Sequence, residues 1–236
     1  MFDESDMQRE QKWYHEQLAK KCVDSLILNN INACYVSNRD EARSKCMELI
    51  PEGATVGIGD SVTLYQTKII EELTDNDRYK VFNPFLRNEK GEFVCGNSEV
   101  VATMKKALMT DVFLMGTNAI TLDGKLVNTD AFGNRVGGLV FGPDKVIVVA
   151  GVNKIVKDVN EGLRRIKDYA APMNVKRHAL KHGLPERPCT QAWGCVDCRH
   201  PQRICCITVI IEYQPKFTAD SQSRLNVVLV GEELGL

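Results

Sequence analysis

The sequence predicts an α/β fold built on one mainly parallel sheet with helices on both faces. Three short apolar segments, 54–58, 111–116 and 145–150, are separated by helices or longer connections. Strands that are apolar along their whole length are typical of a parallel sheet covered on both sides. We therefore expect these three strands at the centre of the sheet. The 236 residues are expected to form a single domain, with a helical and strand lead-in over 1–50 and a cysteine-rich loop over 188–206.

The composition argues against several classes of function. Lys and Arg (30) nearly balance Asp and Glu (31), so no overall field attracts nucleic acid. No apolar run reaches the roughly 20 residues that span a bilayer, and the polar N-terminal segment is unlike a secretory signal. We expect a cytoplasmic protein without nucleic-acid partners or membrane insertion. The oligomeric state stays open, with a homo-oligomer as one option.

Most other elements follow from hydrophobic periodicity and turn residues. Apolar residues that recur every three or four positions predict helices over 4–29, 40–49, 61–73, 99–109, 156–169 and 172–182. Ser61 is expected to cap the third of these helices. Further strands are predicted over 33–36, 81–82, 207–211 and 225–230. Residues 119–128 alternate around Asp123 and Gly124, a dipeptide that favours a two-residue hairpin turn.

A first glycine-rich turn follows strand 54–58 and contains Gly57, Gly59 and Ser61. Ligands of parallel sheets lie beyond the carboxyl ends of the strands. A glycine turn there exposes backbone N–H groups, and the start of the next helix favours an anion. The three residues are therefore candidate substrate contacts. The alternative is a tight turn whose glycines only permit unusual backbone angles.

A second turn, over 115–138, is rich in small polar residues. Thr117 and Asn118 directly follow strand 111–116, whereas Asp130, Asn134 and Arg135 follow the hairpin. The planar guanidinium of Arg135 can hold a carboxylate through two hydrogen bonds, and Asp130 can act as a base or bind a hydroxyl. These two are the candidate catalytic residues, and the other three are candidate substrate contacts. The alternative is an Asp130–Arg135 salt bridge in a solvated loop.

A third turn, over 150–155, follows strand 145–150 and contains Lys154. Its position at a strand end makes this lysine a candidate contact for a phosphate or carboxylate. A surface lysine is the equal alternative.

Nine cysteines fall into two groups. Four are scattered and are expected to act as small core residues: Cys22, Cys34, Cys46 and Cys95. The other five crowd together, and four of them follow a C-x5-C-x2-C-x6-C pattern: Cys189, Cys195, Cys198 and Cys205. Four thiolates in a compact loop can hold a [4Fe–4S] cluster or zinc.

We expect the cluster, with zinc as the second choice, because zinc loops more often contain two C-x2–4-C pairs. Reduced structural cysteines, or a disulfide formed on oxidation, are the alternatives. Cys206 competes with Cys205 as the fourth ligand, since neighbouring residues of a strand face opposite ways. The spacing is similar to that of the cluster loop of endonuclease III-like DNA glycosylases, in the loop alone.

Four segments together resemble the LUD (lactate-utilisation, DUF162) family. They are GTNAITLDGKLVNTDAFGNRV, KVIVVAGVNKIVKD, GCVDC and VVLVGEELG. The resemblance implies a NagB/RpiA/CoA-transferase-like fold, that of ribose-5-phosphate isomerases, glucosamine-phosphate deaminases and CoA-transferases. It also implies a role beside the iron–sulfur proteins that oxidise L-lactate to pyruvate.

GTNAITLDGKLVN is also similar to the GAD-x-x-x-x-NGD-x-x-N segment of methylthioribose-phosphate isomerases and of translation-initiation factor 2B subunits. The acidic residue of that segment takes part in proton transfer in the isomerases. Here the position is Asn118, and an amide cannot shuttle a proton. This similarity supports the fold and counts against the isomerase reaction.

Three functions remain as hypotheses. The first is an organic-acid (lactate) utilisation protein that binds a small 2-hydroxy or 2-oxo acid and works with iron–sulfur electron-transfer partners. The second is a stand-alone enzyme acting on a sugar phosphate or CoA thioester, by analogy of fold alone. The third is a non-catalytic module for redox sensing or assembly.

Overall fold

The structure is a computed structural model, and it describes residues 4–216, 218 and 222–236. Its strands are β1 (Asn32–Val36), β2 (Thr55–Ile58), β3 (Lys80–Phe82), β4 (Val112–Gly116), β5 (Ala119–Thr121), β6 (Leu126–Asp130), β7 (Lys145–Gly151), β8 (Ile155–Val156), β9 (Ile207–Ile211) and β10 (Leu225–Val230). Its α-helices are α1 (Gln8–Leu28), α2 (Arg39–Leu49), α3 (Val62–Gln66), α4 (Ile69–Thr74), α5 (Val100–Ala107), α6 (Asn134–Val140), α7 (Val159–Arg165), α8 (Ala171–His182) and α9 (Pro188–Gln191).

Within these residues, six strands form a parallel sheet in the order β1-β10-β7-β4-β2-β3. The three strands predicted to be central, β2, β4 and β7, all lie inside this sheet, which confirms the prediction. Every residue of β4 is buried. Continuous apolar sequence therefore marks the strands that have a layer of helices on each side.

Alternate residues of the central strands face opposite layers. Phe113 and Met115 pack into the core that includes α1, whereas Val112 and Leu114 pack into the core that includes α2. Two of the scattered cysteines belong to these cores: Cys22 and Cys46. Burial raises the pKa of both thiols, so they stay protonated and act as small apolar residues, as expected.

A second, four-stranded sheet has the order β8-β5-β6-β9 and was not predicted as a separate sheet. Strands β5 and β6 form the expected antiparallel hairpin. Its loop has three residues rather than the predicted two, since the Thr121 N–H donates to the Lys125 carbonyl at 2.9 Å. A two-residue type I′ turn needs positive φ at both central positions. Of the dipeptide only Gly124 has it, at 81°.

Two predicted helices differ from the structure. The helix expected over 61–73 is split into α3 and α4, because Lys68 takes a left-handed conformation with φ 57°. Ser61 stands at the N-cap position of α3 but its side chain makes no capping hydrogen bond. The helix expected to start at 156 begins later at α7, since Ile155–Val156 pairs as β8 and the Asp158 side chain caps the helix.

A π-helical segment, Ile166–Ala170, joins α7 to α8. Pro172 lies two residues beyond it and has no N–H for an i→i−4 bond, which favours the wider turn. Among the described residues, no helix combines the length and the apolar character needed to cross a membrane.

The first glycine turn gives a test of local packing. A Cβ on Gly57 would lie 2.4 Å from the Ala107 carbonyl oxygen, whereas a Cβ on Gly137 would meet nothing closer than 3.8 Å. We expect Gly57→Ala to lower the free energy of unfolding by at least about 1–3 kcal/mol, because backbone atoms cannot move aside. The matched control Gly137→Ala should be neutral or gain about 0.5–1 kcal/mol. Denaturant titration measures both, and equal stability of Gly57→Ala and wild type would contradict the packing role.

Candidate functional site

A cavity of about 460 Å³ opens where the carboxyl ends of β2 and β4 meet the second sheet. Its wall includes seven of the predicted site residues: Ser61, Thr117, Asn118, Asp130, Asn134, Arg135 and Lys154. The three turns therefore do come together in space, as expected of strand ends on one edge of a parallel sheet. The remaining two, Gly57 and Gly59, do not line it.

The two glycines serve packing in the structure. Gly57 lies inside β2 against α5. The Gly59 N–H donates to the Leu114 carbonyl at 2.8 Å. A Cβ on Gly59 would approach Arg135 Cγ to 3.3 Å. Neither glycine offers a free N–H to a ligand in the manner predicted. Their contribution is to let β4 and the Arg135 side chain approach β2 closely.

Arg135 is buried and fully engaged at the end of its side chain. Nη1 donates to the Gly116 carbonyl at 3.3 Å and to Asn128 Oδ1 at 2.6 Å. Nη2 donates to Asn118 Oδ1 at 3.1 Å and to the Thr129 carbonyl at 2.8 Å. These four bonds use all four Nη hydrogens, so no free fork remains for a carboxylate. Arg135 ties the two sheets together instead.

Asp130 lines the cavity, but it does not form the salt bridge with the Arg135 guanidinium that was the alternative prediction. Its Oδ2 accepts the backbone N–H groups of Arg135 at 3.1 Å and Val136 at 3.3 Å, at the start of α6. The guanidinium of Arg135 forms no salt bridge with it, among the residues that the structure describes. Oδ1 is left without a hydrogen bond in the described part of the chain. Asp130 therefore fixes α6 and still presents one carboxylate oxygen.

Lys154 is the most unusual residue of the cavity. It ends a short 3₁₀ turn after β7 and is 3% exposed. Its ammonium group has no hydrogen bond or ion pair among the described residues. Burial, followed by the nearby charges of Arg165 and Arg135, lowers the pKa of Lys154 to about 7. Lys154 is therefore not a surface lysine, and its charged form is disfavoured.

Sequence reasoning did not select several further residues of the wall. Asp60, which adjoins Ser61, has a buried Oδ1 without a partner, and its Oδ2 lies 3.6 Å from Arg177 on α8. Arg187 is 5% exposed, and its Nε and Nη1 donors have no partner. Asp60 could have been chosen from its place in the glycine turn. The two arginines come from segments that only tertiary packing brings here.

The cavity wall carries more positive than negative side chains. Five are cationic: Arg135, Lys154, Arg177, Arg187 and Arg203. Two are carboxylates, Asp60 and Asp130. Buried donors without partners, such as those of Arg187, are costly unless a ligand satisfies them. The arrangement suits a small anion with hydroxyl or carbonyl oxygens.

The cysteine loop forms a second, smaller cavity of about 80 Å³. Its wall includes the four predicted ligands, Cys189, Cys195, Cys198 and Cys205. Cys206 is not part of this wall, and its thiol donates to the Arg203 carbonyl at 3.3 Å. The structure thus places Cys205, not its neighbour, beside the other three.

The four thiols differ in their burial and in their hydrogen bonds. The pKa of Cys189 is raised, first by burial and then by Cys198. The Asp197 N–H donates to Cys195 Sγ at 3.3 Å. All nine cysteines are free. Among the described residues, no three Cys, His, Asp or Glu side chains stand close enough together to hold a metal ion. The donors share one cavity but do not form a closed ligand cage.

The two cavities share a wall. Arg187, Arg203, Ile204 and Cys205 line both of them. The Arg203 guanidinium also holds the loop, donating to the Cys198 carbonyl at 2.9 Å and to the Cys205 carbonyl at 2.8 Å. The cationic cavity and the four-thiol cavity are therefore neighbours.

Fold and site together define an α/β protein with an anion-suited cavity at the carboxyl edge of a parallel sheet. The LUD domain family matches the chain over residues 19–230, and the chain belongs to that family. This confirms the family that the four sequence segments indicated.

Two solved structures are similar to the chain. A DUF162 family protein from Deinococcus radiodurans is 15% identical, with a TM-score of 0.48, over 92% of this chain and 98% of its own. The eIF2B delta protein from Chaetomium thermophilum is 13% identical, with a TM-score of 0.33, over 61% of this chain and 54% of its own. No curated protein matches the chain.

The burial of Lys154 predicts a pH-dependent stability. Its pKa is depressed from 10.5 to about 7 in the folded protein, so the unfolded chain binds more protons between those values. The loss of stability caused by burying the charged ammonium is therefore complete at and below pH 7, and it disappears as pH rises toward 10.5. Lys154→Met should raise the free energy of unfolding by about 1–4 kcal/mol near pH 7, and this gain should shrink at pH 9–10.

Guanidinium titrations at several pH values measure this difference between variants. The control is Lys157→Met, three positions along, whose side chain is exposed. A gain for Lys154→Met that is absent at pH 7, or that grows with pH, would contradict the assigned environment.

Proposed function

We propose that the protein binds a small 2-hydroxy or 2-oxo acid in the cationic cavity, as a component of organic-acid (lactate) utilisation. The observation that carries the proposal is the shared wall between that cavity and the four-thiol cavity. An acid bound on one side of this wall lies next to a donor set suited to a redox centre. Oxidation of a 2-hydroxy acid to a 2-oxo acid releases two electrons and two protons, and iron–sulfur partner proteins would carry the electrons away one at a time.

The acid would be held by the donors that have no partner in the chain. Arg187 has two donors without a partner, Nε and Nη1, and a hydrogen bond from a charged donor to a carboxylate is strong. The hydroxyl or carbonyl oxygen would face Asp130 and Lys154, which also line the cavity. Arg135 contributes positive charge from behind the wall rather than a direct contact.

A [4Fe–4S] cluster is the cofactor we propose for Cys189, Cys195, Cys198 and Cys205, with zinc as the alternative. The proposal depends on the donor set and its surroundings, not on a formed cage. Four thiols share one cavity, and Arg187 and Arg203 line it too, offsetting the negative charge of thiolate ligands. Such a cluster supplies one-electron transfer when bound. Ligation would also deprotonate the thiols and order the loop.

Acid binding is tested by calorimetry with L-lactate and pyruvate. We expect Arg187→Met to weaken binding of either acid by about tenfold or more, since a hydrogen bond to a charged group contributes about 1.5–3 kcal/mol. The matched control is Arg199→Met, whose side chain is exposed in the same loop. Ribose 5-phosphate tests the alternative substrate class, because the same cations would attract a phosphate. Tighter binding of the phosphate than of both acids would reverse the assignment.

The cofactor is tested on protein purified and reconstituted without oxygen. We expect brown protein with about four iron atoms per chain, held by four thiolates. Cys195→Ser and Cys198→Ser should lose the colour. Cys206→Ser is the control and should keep it, because this thiol lies outside the cavity. Less than about one iron per chain would reject the cluster, and one zinc per chain in its place would support the alternative.

A further inference from the structure

The amine of Lys154 is buried, faces the cavity and has no partner. It is 3% exposed, yet it belongs to the cavity wall. Even the half-buried Lys145 has an acceptor, since its Nζ donates to the Leu49 carbonyl at 2.9 Å. Lys154 has no hydrogen bond or ion pair among the described residues. Its reactive atom is therefore available only to what enters the cavity.

The surroundings of this amine disfavour its charged form. Neither carboxylate of the cavity forms an ion pair with this amine among the described residues. One oxygen of Asp60 faces Arg177, and one oxygen of Asp130 accepts from the start of α6. Burial, followed by the charges of the cations Arg165 and Arg135, lowers the pKa of Lys154 to about 7. A lysine that is desolvated beside other cations is an activated nucleophile.

Neither neighbouring cation can take this role. The Arg135 Nη hydrogens are all bonded to protein oxygens, as described above. Arg165 donates to the Asn118 carbonyl at 2.8 Å and to the Asn153 carbonyl at 3.1 Å. Both guanidinium groups thus stay in place, and their charge acts on Lys154.

We infer that Lys154 forms an imine with the carbonyl carbon of a bound 2-oxo acid. The Nζ lone pair attacks that carbon and forms the C–N bond of a carbinolamine. The C–O bond then breaks, and the carbonyl oxygen leaves as water with the two protons that the amine carried. No electrons are gained or lost in this step. Asp60 and Asp130, which line the same cavity, are the groups placed to carry the protons.

This inference rests on the proposed acid site and makes its substrate class narrower. A 2-hydroxy acid has no carbonyl carbon to attack, so it would bind without a covalent bond. A 2-oxo acid would bind and react. The two kinds of acid are therefore distinguished by trapping rather than by affinity.

The test is reduction of the wild-type protein with sodium borohydride in the presence of pyruvate. Reduction converts an imine to a stable secondary amine, and intact mass spectrometry then shows the mass of one reduced pyruvate adduct. Peptide mapping should place the adduct on Lys154. L-lactate under the same conditions should give none. Lys154→Met should lose the adduct, whereas the exposed control Lys157→Met should keep it.

Mapping on the wild type keeps the test valid even where Lys154→Met folds poorly. Pyruvate binding by calorimetry without an adduct overturns the imine and leaves the acid site standing. An adduct found on exposed lysines alone overturns it as well. Absence of both binding and adduct overturns the imine together with the proposed function.

Discussion

The buried guanidinium of Arg135 is the constraint on which the site depends. It bonds the end of β4 at Gly116 and the strand β6 at Asn128 and Thr129. The carboxyl edge of the parallel sheet and the second, four-stranded sheet are thereby held at one distance. The oxygens that accept from it are all neutral, so the positive charge is hydrogen-bonded but not directly paired. A charge of this kind is costly to bury and is retained where its field has a use.

That field also acts on the neighbouring Lys154. Burial first, and then the charges of Arg165 and Arg135, disfavour the charged form of this lysine. An anion in the cavity would favour the charged form of Lys154, because it offsets all three cations at once. A bound anion would therefore stabilise the fold, the pattern expected of a binding site rather than of a packed core. The predicted gain from Lys154→Met is the measurable form of the cost of burying this lysine's charge.

Local sequence was sufficient for the parts of the fold that local physics controls. The apolar runs of β2, β4 and β7 identify central strands, and the residues after them identify the edge where the cavity opens. Local sequence was insufficient where tertiary contacts determine the role of a residue. The sequence predicts Gly57 as a ligand contact, whereas the structure shows that α5 packs against it. It predicts that Arg135 binds a carboxylate, whereas four protein oxygens accept from its guanidinium. No sequence motif marks Arg187. It is a candidate contact because two of its donors have no partner in the structure.

The choice between Cys205 and Cys206 shows how strand geometry connects the loop to the site. The Cys206 N–H donates to the Asp130 carbonyl at 2.9 Å, which continues the pairing of β9 with β6. This pairing turns one cysteine outward and leaves Cys205 on the wall between the two cavities, since side chains alternate along extended chain. Asp130 thus anchors the end of the cysteine loop through its backbone and the start of α6 through its carboxylate. The end of the cysteine loop and one wall of the cationic cavity are therefore held by the same residue.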